Sequence, residues 1–485
     1  DAYKRRPWID WIHTAKDQGA IIRHYTKWDD QPASPQAAVE SVLRANQMAR
    51  SAPTGPVYVC LDVGLQEEPL AEPVAIPDPA RFAPALSPAV PQASLRKALQ
   101  AIEKAKFPLI LMGRVSRKQR DWDRRVRFAE AIGAAVLTSS NDPSSFPTLH
   151  PLHLAAPCLR PSKAATALIE KADLIISMDW LDLAGVLRLA LGSAQTQEPA
   201  KKTIIHCSMD NYRTNGWSMD HQALPAVDIP VYAEADEFIA LMLDELDAKK
   251  EPKLKSRSEV KNMVHWNDAL GDKAKPASGK SMTLWDMAMT VREFAKDRPI
   301  TFARLSLGWP GEADVFDGPL SFMGNDGGGG VGTGPGHCVG TALALKGSGR
   351  IPVGIIGDGD YLMGVQALWT ASHMDIPLMV VVADNRSYFN DEMHQERVAE
   401  MRQRPAQNRW IGQRIDEPRV DLVAMARAQG FDVEPPVMTA EALAKALKKG
   451  ADIVARGGRY FIVSVIEPGY AVSVPDQRAG MVKKK

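Results

Sequence analysis

The chain has 485 residues and carries 59 Lys and Arg against 58 Asp and Glu, a net charge of +1. This length predicts about three domains, and the balanced charge argues against nucleic acid or a membrane surface as a partner. No apolar run is long enough to cross a bilayer, and the four cysteines, Cys60, Cys158, Cys207 and Cys338, form no CxxC pair. We therefore expect a reduced cytoplasmic protein without a zinc site or a disulfide framework.

The first predicted unit covers residues 1–75, where a helical pattern, PQAAVESVLRANQMARSA, precedes a β-rich apolar run, TGPVYVCLDV. Residues 76–95 are rich in proline, which has no backbone N–H and a fixed φ, so this passage is predicted to be a linker. In residues 96–246 helices alternate with short apolar strands, among them FPLILMG, AAVLTS and DLIISMD. Such alternation predicts a parallel sheet that helices cover on both faces.

Residues 247–280 form a charged segment with few apolar residues and are predicted to be a second linker. A third α/β unit is predicted over residues 281–485, with the strands PITFARLSL, IPVGIIG, PLMVVVAD and YFIVSVIEP. One helix, YLMGVQALWTASH, is expected between the second and third of these strands. The predicted fold class is therefore α/β, with doubly wound, Rossmann-like parallel sheets.

The motif GDGD, from Gly357 to Asp360, stands at the carboxyl end of the predicted strand IPVGIIG. Ligands bind at that edge of open α/β sheets, and Gly357 and Gly359 let the backbone turn sharply beside a ligand. Asn385 follows the next strand, so a right-handed crossover brings it to the same edge as Asp358. Carboxylate, amide and main-chain oxygens suit Mg²⁺, which also binds phosphate oxygens. The pattern therefore predicts a divalent cation that carries a polyanionic cofactor.

Three other interpretations of these stretches fit the sequence less well. An isolated GDG is more often a plain turn, with Asn385 as a strand-end cap, but the full pattern of strand, GDGD, helix, strand and Asn is more specific. A calcium loop fits less well, because DGDYLMG lacks the later oxygen ligands and the closing Glu. The run GGGGVGTGPG could also be a flexible loop or a dinucleotide-binding loop. It lacks the Lys-Ser/Thr that a P-loop requires.

The stretch GDGDYLMGVQALWTASHMDIPLMVVVADN resembles the signature of thiamine diphosphate-dependent enzymes, specifically their acetolactate synthase and 2-oxo acid decarboxylase branch. The likeness covers nearly the whole chain. TGPVYVCLDV is similar to the end of the pyrimidine-binding domain, FPLILMG and EKADLIISMD to the central domain, and GGGGVGTGPGHCVGTALAL to the diphosphate-binding domain. The family signature usually ends in two Asn, whereas this chain has Asp384-Asn385. The resemblance implies three domains of the thiamine diphosphate-binding fold.

The resemblance also implies a set of site residues. Magnesium would be held by the side chains of Asp358 and Asn385 and by the main-chain oxygen of Ser387. A bulky apolar residue bends the cofactor in this family, and Val331 stands at that position. The cofactor-binding residues implied by the glycine-rich run and the signature are Val331, Gly332, Gly334, Gly357, Asp358, Gly359, Asp360, Asn385 and Ser387.

The implied activity is that of a lyase or carboligase acting on a 2-oxo acid, similar to acetolactate synthase. The alternatives are a simple decarboxylase of a 2-oxo acid or an acyl-CoA, and a non-catalytic homologue that binds the cofactor. In the family a glutamate early in the pyrimidine-binding domain activates the cofactor. No residue here matches it, so the catalytic residue is unknown and the first domain is expected to be incomplete.

Family members place the active site between the pyrimidine-binding domain of one chain and the diphosphate-binding domain of another. A homodimer or homotetramer is therefore implied, with a small 2-oxo acid or acyl substrate at the subunit interface. FAD is not expected, because LHLAAPCLRP and MDWLDLAG lack the glycines and arginines of FAD-binding acetolactate synthases.

Two further features of the sequence each have two possible interpretations. The segment NRSYFNDEMHQERVAEMRQR after the signature is either an active-site lid or a solvated helix. His337, in GPGHCVGTA, is more often a satisfied core residue than an acid-base group, although histidine is the commonest choice for proton transfer.

Overall fold

A computed structural model describes the chain at residue 8 and over residues 12–192, 202–210, 224–248, 257–276, 281–325 and 330–469. The described strands form two five-stranded sheets and one two-stranded sheet, and every strand pair in them is parallel. The predicted α/β class with parallel sheets is confirmed. Predictions for the remaining residues, including 249–256 and 277–280 of the second linker and 470–485 of the third unit, lie outside the described residues.

The first unit pairs two short parallel strands that are joined through a helix. Its elements are α1 (Gly19–Ile22), β1 (Trp28–Asp30), α2 (Pro35–Arg50), β2 (Val57–Val59) and α3 (Val63–Glu67), followed by a 3-10 turn at Pro79–Phe82. Helix α2 begins where the sequence provides a cap, because Ser34 Oγ accepts a hydrogen bond from the Ala37 N–H at 3.1 Å and Pro35 lies in the first turn.

The central unit is a doubly wound sheet. Its described elements are α4 (Gln92–Lys104), β3 (Pro108–Met112), α5 (Gln119–Ile132), β4 (Ala135–Thr138), α6 (Lys163–Lys171), β5 (Leu174–Met178), α7 (Leu183–Leu191), β6 (Thr203–Cys207), β7 (Ile229–Val231) and α8 (Ala235–Ala248). The strand order is β4-β3-β5-β6-β7, so the direction of the crossovers reverses between β3 and β5. Both strands are buried along their whole length, as expected where helices cover both faces.

The described part of the predicted second linker is folded against the central unit. It contains the short helices α9 (Ser258–Lys261) and α10 (Trp266–Leu270) and a 3-10 turn at Gly271–Ala274. Arg257 Nε donates to the Ile132 carbonyl at 2.9 Å, and Trp266 Nε1 donates to His153 Nδ1 at 3.2 Å. These contacts fix the segment as part of the central unit's surface.

The third unit holds the predicted motif. Its elements are α11 (Leu284–Ala295), β8 (Ile300–Arg304), a 3-10 turn (Gly311–Ala313), α12 (Gly334–Ala344), β9 (Ile351–Gly357), α13 (Asp358–Gly364), α14 (Ala367–His373), β10 (Leu378–Asp384), α15 (Phe389–Met401), α16 (Leu422–Ala428), β11 (Asp432–Val433), α17 (Ala440–Ala455) and β12 (Arg459–Val465). The sheet order is β11-β12-β10-β9-β8. Strands β9 and β10 are therefore neighbours, and every residue of β10 is buried.

The region after β9 differs from the single helix that the sequence predicted. Helix α13 begins at Asp358 itself, so Asp358 and Gly359 lie in its first turn, and a second helix, α14, starts only at Ala367. At the end of α13, an added Cβ at Gly364 would lie 2.2 Å from the Gly332 carbonyl oxygen. The backbone of the glycine-rich loop thus touches the helix where it ends.

The central and third units are joined by hydrogen bonds between two loops. Thr148 Oγ1 donates to the Asp314 carbonyl at 2.7 Å, and Ser144 Oγ donates to the Gly318 carbonyl at 2.8 Å. Asn325 Nδ2 donates to the Ser140 carbonyl at 3.1 Å. The central unit therefore fixes the segment that runs toward the glycine-rich loop of the third unit.

Candidate functional site

The tips of β9 and β10 bring two acidic residues together. Ala383 pairs with Gly357 in the parallel ladder, which puts Asp358 and Asp384 on neighbouring strand ends. Asp358 is 4% exposed; its Oδ1 accepts from the Gly359 N–H at 2.9 Å, whereas Oδ2 has no hydrogen-bond partner among the described residues. Burial, and then the charge of Asp384, raise the pKa of Asp358 to about 7. An orphaned buried carboxylate oxygen of this kind is costly unless a cation or a donor meets it.

Asp384, which replaces the usual asparagine of the signature, is held by its own partners. Its Oδ1 accepts from the Arg386 N–H at 3.2 Å, and its Oδ2 pairs with Arg419 Nη2 at 3.3 Å. Arg386 has a positive φ of 59°, which turns the chain back toward the site. Although Asp384 departs from the family pattern, both of its carboxylate oxygens have partners. The neighbouring Asn385 and Ser387 keep their positions in the signature.

The turn after β10 carries the other two predicted metal ligands. Asn385 Oδ1 accepts from the Ser387 N–H at 2.9 Å, an Asx turn that fixes the amide next to the backbone. Ser387 forms an antiparallel bridge with Arg414, made by the Tyr388 N–H to the Gln413 carbonyl and by the Ile415 N–H to the Arg386 carbonyl, each at 2.9 Å. The neighbours of Ser387 make both bonds, so its own carbonyl takes no part in this ladder.

These groups fit a magnesium ion. Within the described ranges no three His, Cys, Asp or Glu side chains gather as a metal centre, so an ion at this edge needs amide and carbonyl ligands in addition to one carboxylate. Asp358, Asn385 and Ser387 offer that mixture of hard oxygens. The buried Oδ2 of Asp358, which has no hydrogen-bond partner among the described residues, supports a cation at this position.

The glycine-rich loop is fastened by Asp360. Its Oδ1 accepts from the Gly332 N–H at 2.7 Å and from the Gly334 N–H at 3.0 Å, and its Oδ2 pairs with Arg304 Nε at 3.1 Å. Gly332 has a φ of +95°, and an added Cβ at Gly334 would lie 2.2 Å from Asp360 Oδ2. Both glycines are therefore required by the loop itself. Val331, between Gly330 and Gly332, is 52% exposed and open to a ligand.

The two glycines of GDG have different surroundings. An added Cβ at Gly359 would lie 2.3 Å from Tyr388 Cε1, so the tyrosine ring already fills that space. An added Cβ at Gly357 would meet nothing within 4 Å. Open space thus borders the strand tip at Gly357, while Gly359 serves close packing inside the protein.

The predicted residues fall into two groups that share this sheet edge. Asp358, Asn385 and Ser387 lie at the strand tips, and Asp360, two residues after Asp358 in α13, binds Gly332 and Gly334 of the glycine-rich loop. Sequence reasoning missed three residues that support these groups: Arg304, Tyr388 and Glu392. Arg304 and Glu392 could not be distinguished from other charged residues in the sequence, because the fold brings their partners, Asp360 and Arg414, to them.

A second charged cluster lies at the switch point of the central sheet, between β3 and β5. Arg114 Nη2 pairs with Asp179 Oδ1 at 2.9 Å and with Asp210 Oδ2 at 2.5 Å. The nearby Asp142 is 4% exposed, with an Oδ2 that has no partner in the described structure. An added Cβ at Gly113 would lie 2.4 Å from the Asp179 carbonyl oxygen, so the backbones just after β3 and β5 are in direct contact.

Comparison with known proteins agrees with this architecture. Residues 95–241 match the model of the thiamine pyrophosphate enzyme central domain, and residues 308–464 match that of the thiamine pyrophosphate enzyme C-terminal TPP binding domain. Together the two matches cover more than half of the chain. The chain therefore belongs to the thiamine pyrophosphate enzyme family, as the resemblance predicted.

Individual relatives are distant. A "Probable acetolactate synthase large subunit" of Methanocaldococcus jannaschii is 24% identical over 478 residues, which cover 94% of this chain and 74% of the relative. A sulfoacetaldehyde acetyltransferase of Alcaligenes xylosoxydans xylosoxydans is 24% identical over 406 residues, covering 77% of this chain and 63% of that protein.

Solved structures of decarboxylases are also similar. The 4-hydroxybenzoylformate decarboxylase of Rhodococcus jostii RHA1 superimposes with a TM-score of 0.73 at 20% identity, over 96% of this chain and 81% of that one. The benzoylformate decarboxylase of Polynucleobacter necessarius gives a TM-score of 0.68 at 20% identity, over 92% and 77%. At this identity the likeness establishes a shared fold.

None of the described helices is both long and apolar enough to cross a membrane.

Proposed function

We propose that this thiamine diphosphate-dependent enzyme requires Mg²⁺ and acts as a C–C lyase or carboligase on a 2-oxo acid, in the manner of an acetolactate synthase. The observation that carries the proposal is the buried Asp358 Oδ2 without a partner, at the tip of β9 beside the turn of Asn385 and Ser387. A divalent cation bound there compensates the carboxylate and accepts diphosphate oxygens in its remaining positions.

Each protein group has a distinct task in this proposal. Asp358 and Asn385 bind the metal through their side chains and Ser387 through its main-chain oxygen. Gly357 keeps the strand tip open for the diphosphate, and the exposed Val331 supports the bent cofactor. Thiamine diphosphate, when bound, supplies a nucleophilic carbon and an electron sink. Asp360 and Arg304 hold the loop that carries Val331 at a fixed distance from the turn of residues 385–387, called the metal turn below.

A homodimer or homotetramer is part of the proposal. Four large apolar side chains on and beside helices α12 to α14 are about half exposed: Leu343, Met363, Trp369 and Met374. Trp369 stacks on His373 with ring centroids 4.7 Å apart, which gives a flat aromatic surface. Exposed apolar side chains favour a protein partner, and we propose that a second copy of the chain is that partner.

We also propose that the central unit does not bind FAD. Its switch point, the usual ligand position in a doubly wound sheet, contains Arg114 surrounded by the carboxylates of Asp142, Asp179 and Asp210. A dinucleotide brings a diphosphate, which would meet more negative than positive charge in this crevice.

Calorimetry tests the cofactor and metal assignment directly. Protein stripped of metal with EDTA is titrated with thiamine diphosphate, with and without Mg²⁺. We expect the wild-type protein to bind thiamine diphosphate only when Mg²⁺ is present. For Asp358→Asn, adding Mg²⁺ should not increase the binding of thiamine diphosphate. The proposal fails if the wild-type protein does not take up thiamine diphosphate, or takes it up equally well without a divalent cation.

A second candidate, a simple decarboxylase, is favoured by the structural likeness to benzoylformate and 4-hydroxybenzoylformate decarboxylases. Product analysis separates the two. Pyruvate converted to acetolactate or acetoin supports a carboligase, whereas conversion of a 2-oxo acid to the aldehyde alone supports a decarboxylase. Cofactor binding without turnover of any 2-oxo acid would support the non-catalytic homologue.

A further inference from the structure

Helix α15, which follows the candidate metal turn, has an unusual pattern of burial. Glu392 is its one buried residue and is 0% exposed, while its apolar side chains Val398 and Met401 face solvent. A helix normally buries its apolar face. A carboxylate in that position requires specific partners, because burying an unpaired charge is very costly.

The partners of Glu392 come from both sides of the metal turn. Ser387 Oγ donates to Glu392 Oε1 at 2.5 Å. Arg414 Nε lies 2.6 Å from the same oxygen, and Arg414 Nη2 donates to Oε2 at 3.4 Å. Arg409 Nε lies 3.9 Å from Oε2. One carboxylate therefore joins the turn after β10 to the segment of residues 409–414.

This arrangement holds Ser387 by its side chain and leaves its carbonyl available. The backbone bonds to residues 413 and 415 are made by Tyr388 and Arg386, so they hold the flanking residues and not the Ser387 carbonyl. The orientation of that carbonyl is then fixed by the Asx turn on one side and by the Glu392 hydrogen bond on the other. Loss of the Glu392 contact would let the proposed metal ligand rotate.

We propose that Glu392 is a positioning residue for the metal site. It holds the Ser387 carbonyl in its ligating orientation and, through Arg414, links metal binding to the order of residues 402–415. The inference rests on the proposed magnesium site. Coupling of this kind is reciprocal, so the metal should stabilise the segment as much as the segment stabilises the metal.

The first test compares metal affinity in matched variants. Binding of Mn²⁺ in the presence of thiamine diphosphate is followed by the electron paramagnetic resonance of free Mn²⁺. Glu392→Gln keeps the size of the side chain but removes its charge. We expect about tenfold weaker Mn²⁺ binding, the usual effect of removing a residue that hydrogen-bonds to a metal ligand. Glu396→Gln is the control, since Glu396 lies one helical turn later in α15 and its ion pair is with Arg409, at 3.7 Å. It should bind Mn²⁺ like the wild type.

The second test asks whether the effect passes through Ser387. Ser387→Ala retains the main-chain oxygen and the Glu392–Arg414 pair but removes the hydroxyl. We expect it to weaken Mn²⁺ binding by a similar factor, and the double variant Glu392→Gln/Ser387→Ala to be no weaker than either single variant. Ser387→Ala also keeps the inference testable if Glu392→Gln does not fold.

Hydrogen exchange provides the reciprocal readout. Peptides covering residues 402–415 should exchange more slowly in wild-type protein when Mn²⁺ and thiamine diphosphate are added, and this protection should be lost in Glu392→Gln. The inference is overturned if Glu392→Gln and Ser387→Ala both bind Mn²⁺ within a factor of about two of the wild type. Failure of the wild type to bind Mn²⁺ at all would instead refute the proposed function on which the inference depends.

Discussion

Gly359 and Tyr388 occupy the same space, because an added Cβ at Gly359 would lie 2.3 Å from the Tyr388 ring. The second glycine of the GDG motif is thus a packing requirement set by a residue that follows the metal turn. Gly359→Ala should displace the tyrosine and, with it, the adjacent Ser387. Overpacking of this kind costs about 1–3 kcal/mol, or roughly tenfold in affinity for each 1.4 kcal/mol. We expect calorimetry to show weaker uptake of thiamine diphosphate with Mg²⁺.

The matched variants for this prediction come from the same structure. Tyr388→Ala removes the obstructing ring, so the double variant Gly359→Ala/Tyr388→Ala should bind the cofactor better than Gly359→Ala alone. Gly340→Ala is the control, because an added Cβ in the middle of α12 meets nothing within 4 Å. It should be neutral or up to about 1 kcal/mol stabilising. Equal cofactor affinities for Gly359→Ala and Gly340→Ala would refute the packing argument.

A substitution at Gly357, unlike one at Gly359, should weaken cofactor binding without disturbing the packing of the protein. An added Cβ there meets no protein atom within 4 Å, so Gly357→Ala is expected to fold with an unchanged Tm in metal-free buffer. If the open space belongs to the diphosphate, the same variant should lose cofactor affinity. The measurement is thermal unfolding with and without thiamine diphosphate and Mg²⁺. A variant stabilised by the cofactor as strongly as the wild type would place the diphosphate elsewhere.

The strands and the edge of the sheet that holds the site could be predicted from the sequence. Continuous apolar runs such as PLMVVVAD identify buried parallel strands, and the crossover rule brings Asp358 and Asn385 to one edge. The break between α13 and α14 was missed, because it occurs where Gly364 meets the backbone of a loop distant in sequence. Glu392 was missed for a related reason. Its role depends on Arg414, whose contact with it arises only from the folded chain.

Asp358→Asn should have opposite effects on the metal-free and metal-bound protein. In the absence of a cation, Asp358 and Asp384 are buried like charges on adjacent strand tips, and the variant relieves their repulsion. The metal-free Tm at pH 8 should therefore rise, by about 2–4 °C for each kcal/mol relieved. Addition of Mg²⁺ and thiamine diphosphate should raise the Tm of the wild type but not of the variant.

The control for this prediction is Asp452→Asn, which removes an aspartate on the exposed face of α17. Its Tm should follow the wild type both with and without the ligands. A metal-free Asp358→Asn protein that unfolds at a lower temperature than the wild type would show that the carboxylate already has a favourable partner.

Asp360 and Arg304 should behave as a unit that holds the glycine-rich loop. Asp360→Ala removes the acceptor for two backbone N–H groups and leaves Arg304, itself 8% exposed, without its carboxylate. Breaking a buried pair from one side costs about 3–5 kcal/mol. Urea unfolding should show such a loss, whereas Arg304→Met/Asp360→Ala should lose less than the sum of the two single changes. Additive effects would mean that the two residues act independently.

Asp142 should make the stability of the protein depend on pH. Burial raises its pKa from the ordinary value of 3.8 to about 7, with Asp179 adding to the shift and Arg114 opposing it. The folded state therefore favours the protonated carboxyl. Its stabilising contribution is complete below about pH 4 and is lost as the pH rises through 7, with an upper limit of about 1.4 kcal/mol for each pKa unit.

Asp142→Asn replaces this carboxyl with an amide that does not titrate. We expect the Tm of the variant, relative to the wild type at the same pH, to increase from pH 5 to about pH 7 and to level off above it, because in this range unfolding of the wild type releases the proton that the folded protein retains. Asp244→Asn, on the exposed face of α8, is the matched control and should keep a constant difference from the wild type. A constant difference for Asp142→Asn as well would mean that Arg114 fully compensates the Asp142 carboxylate, and that the switch point of the central sheet is less negative than its three carboxylates suggest.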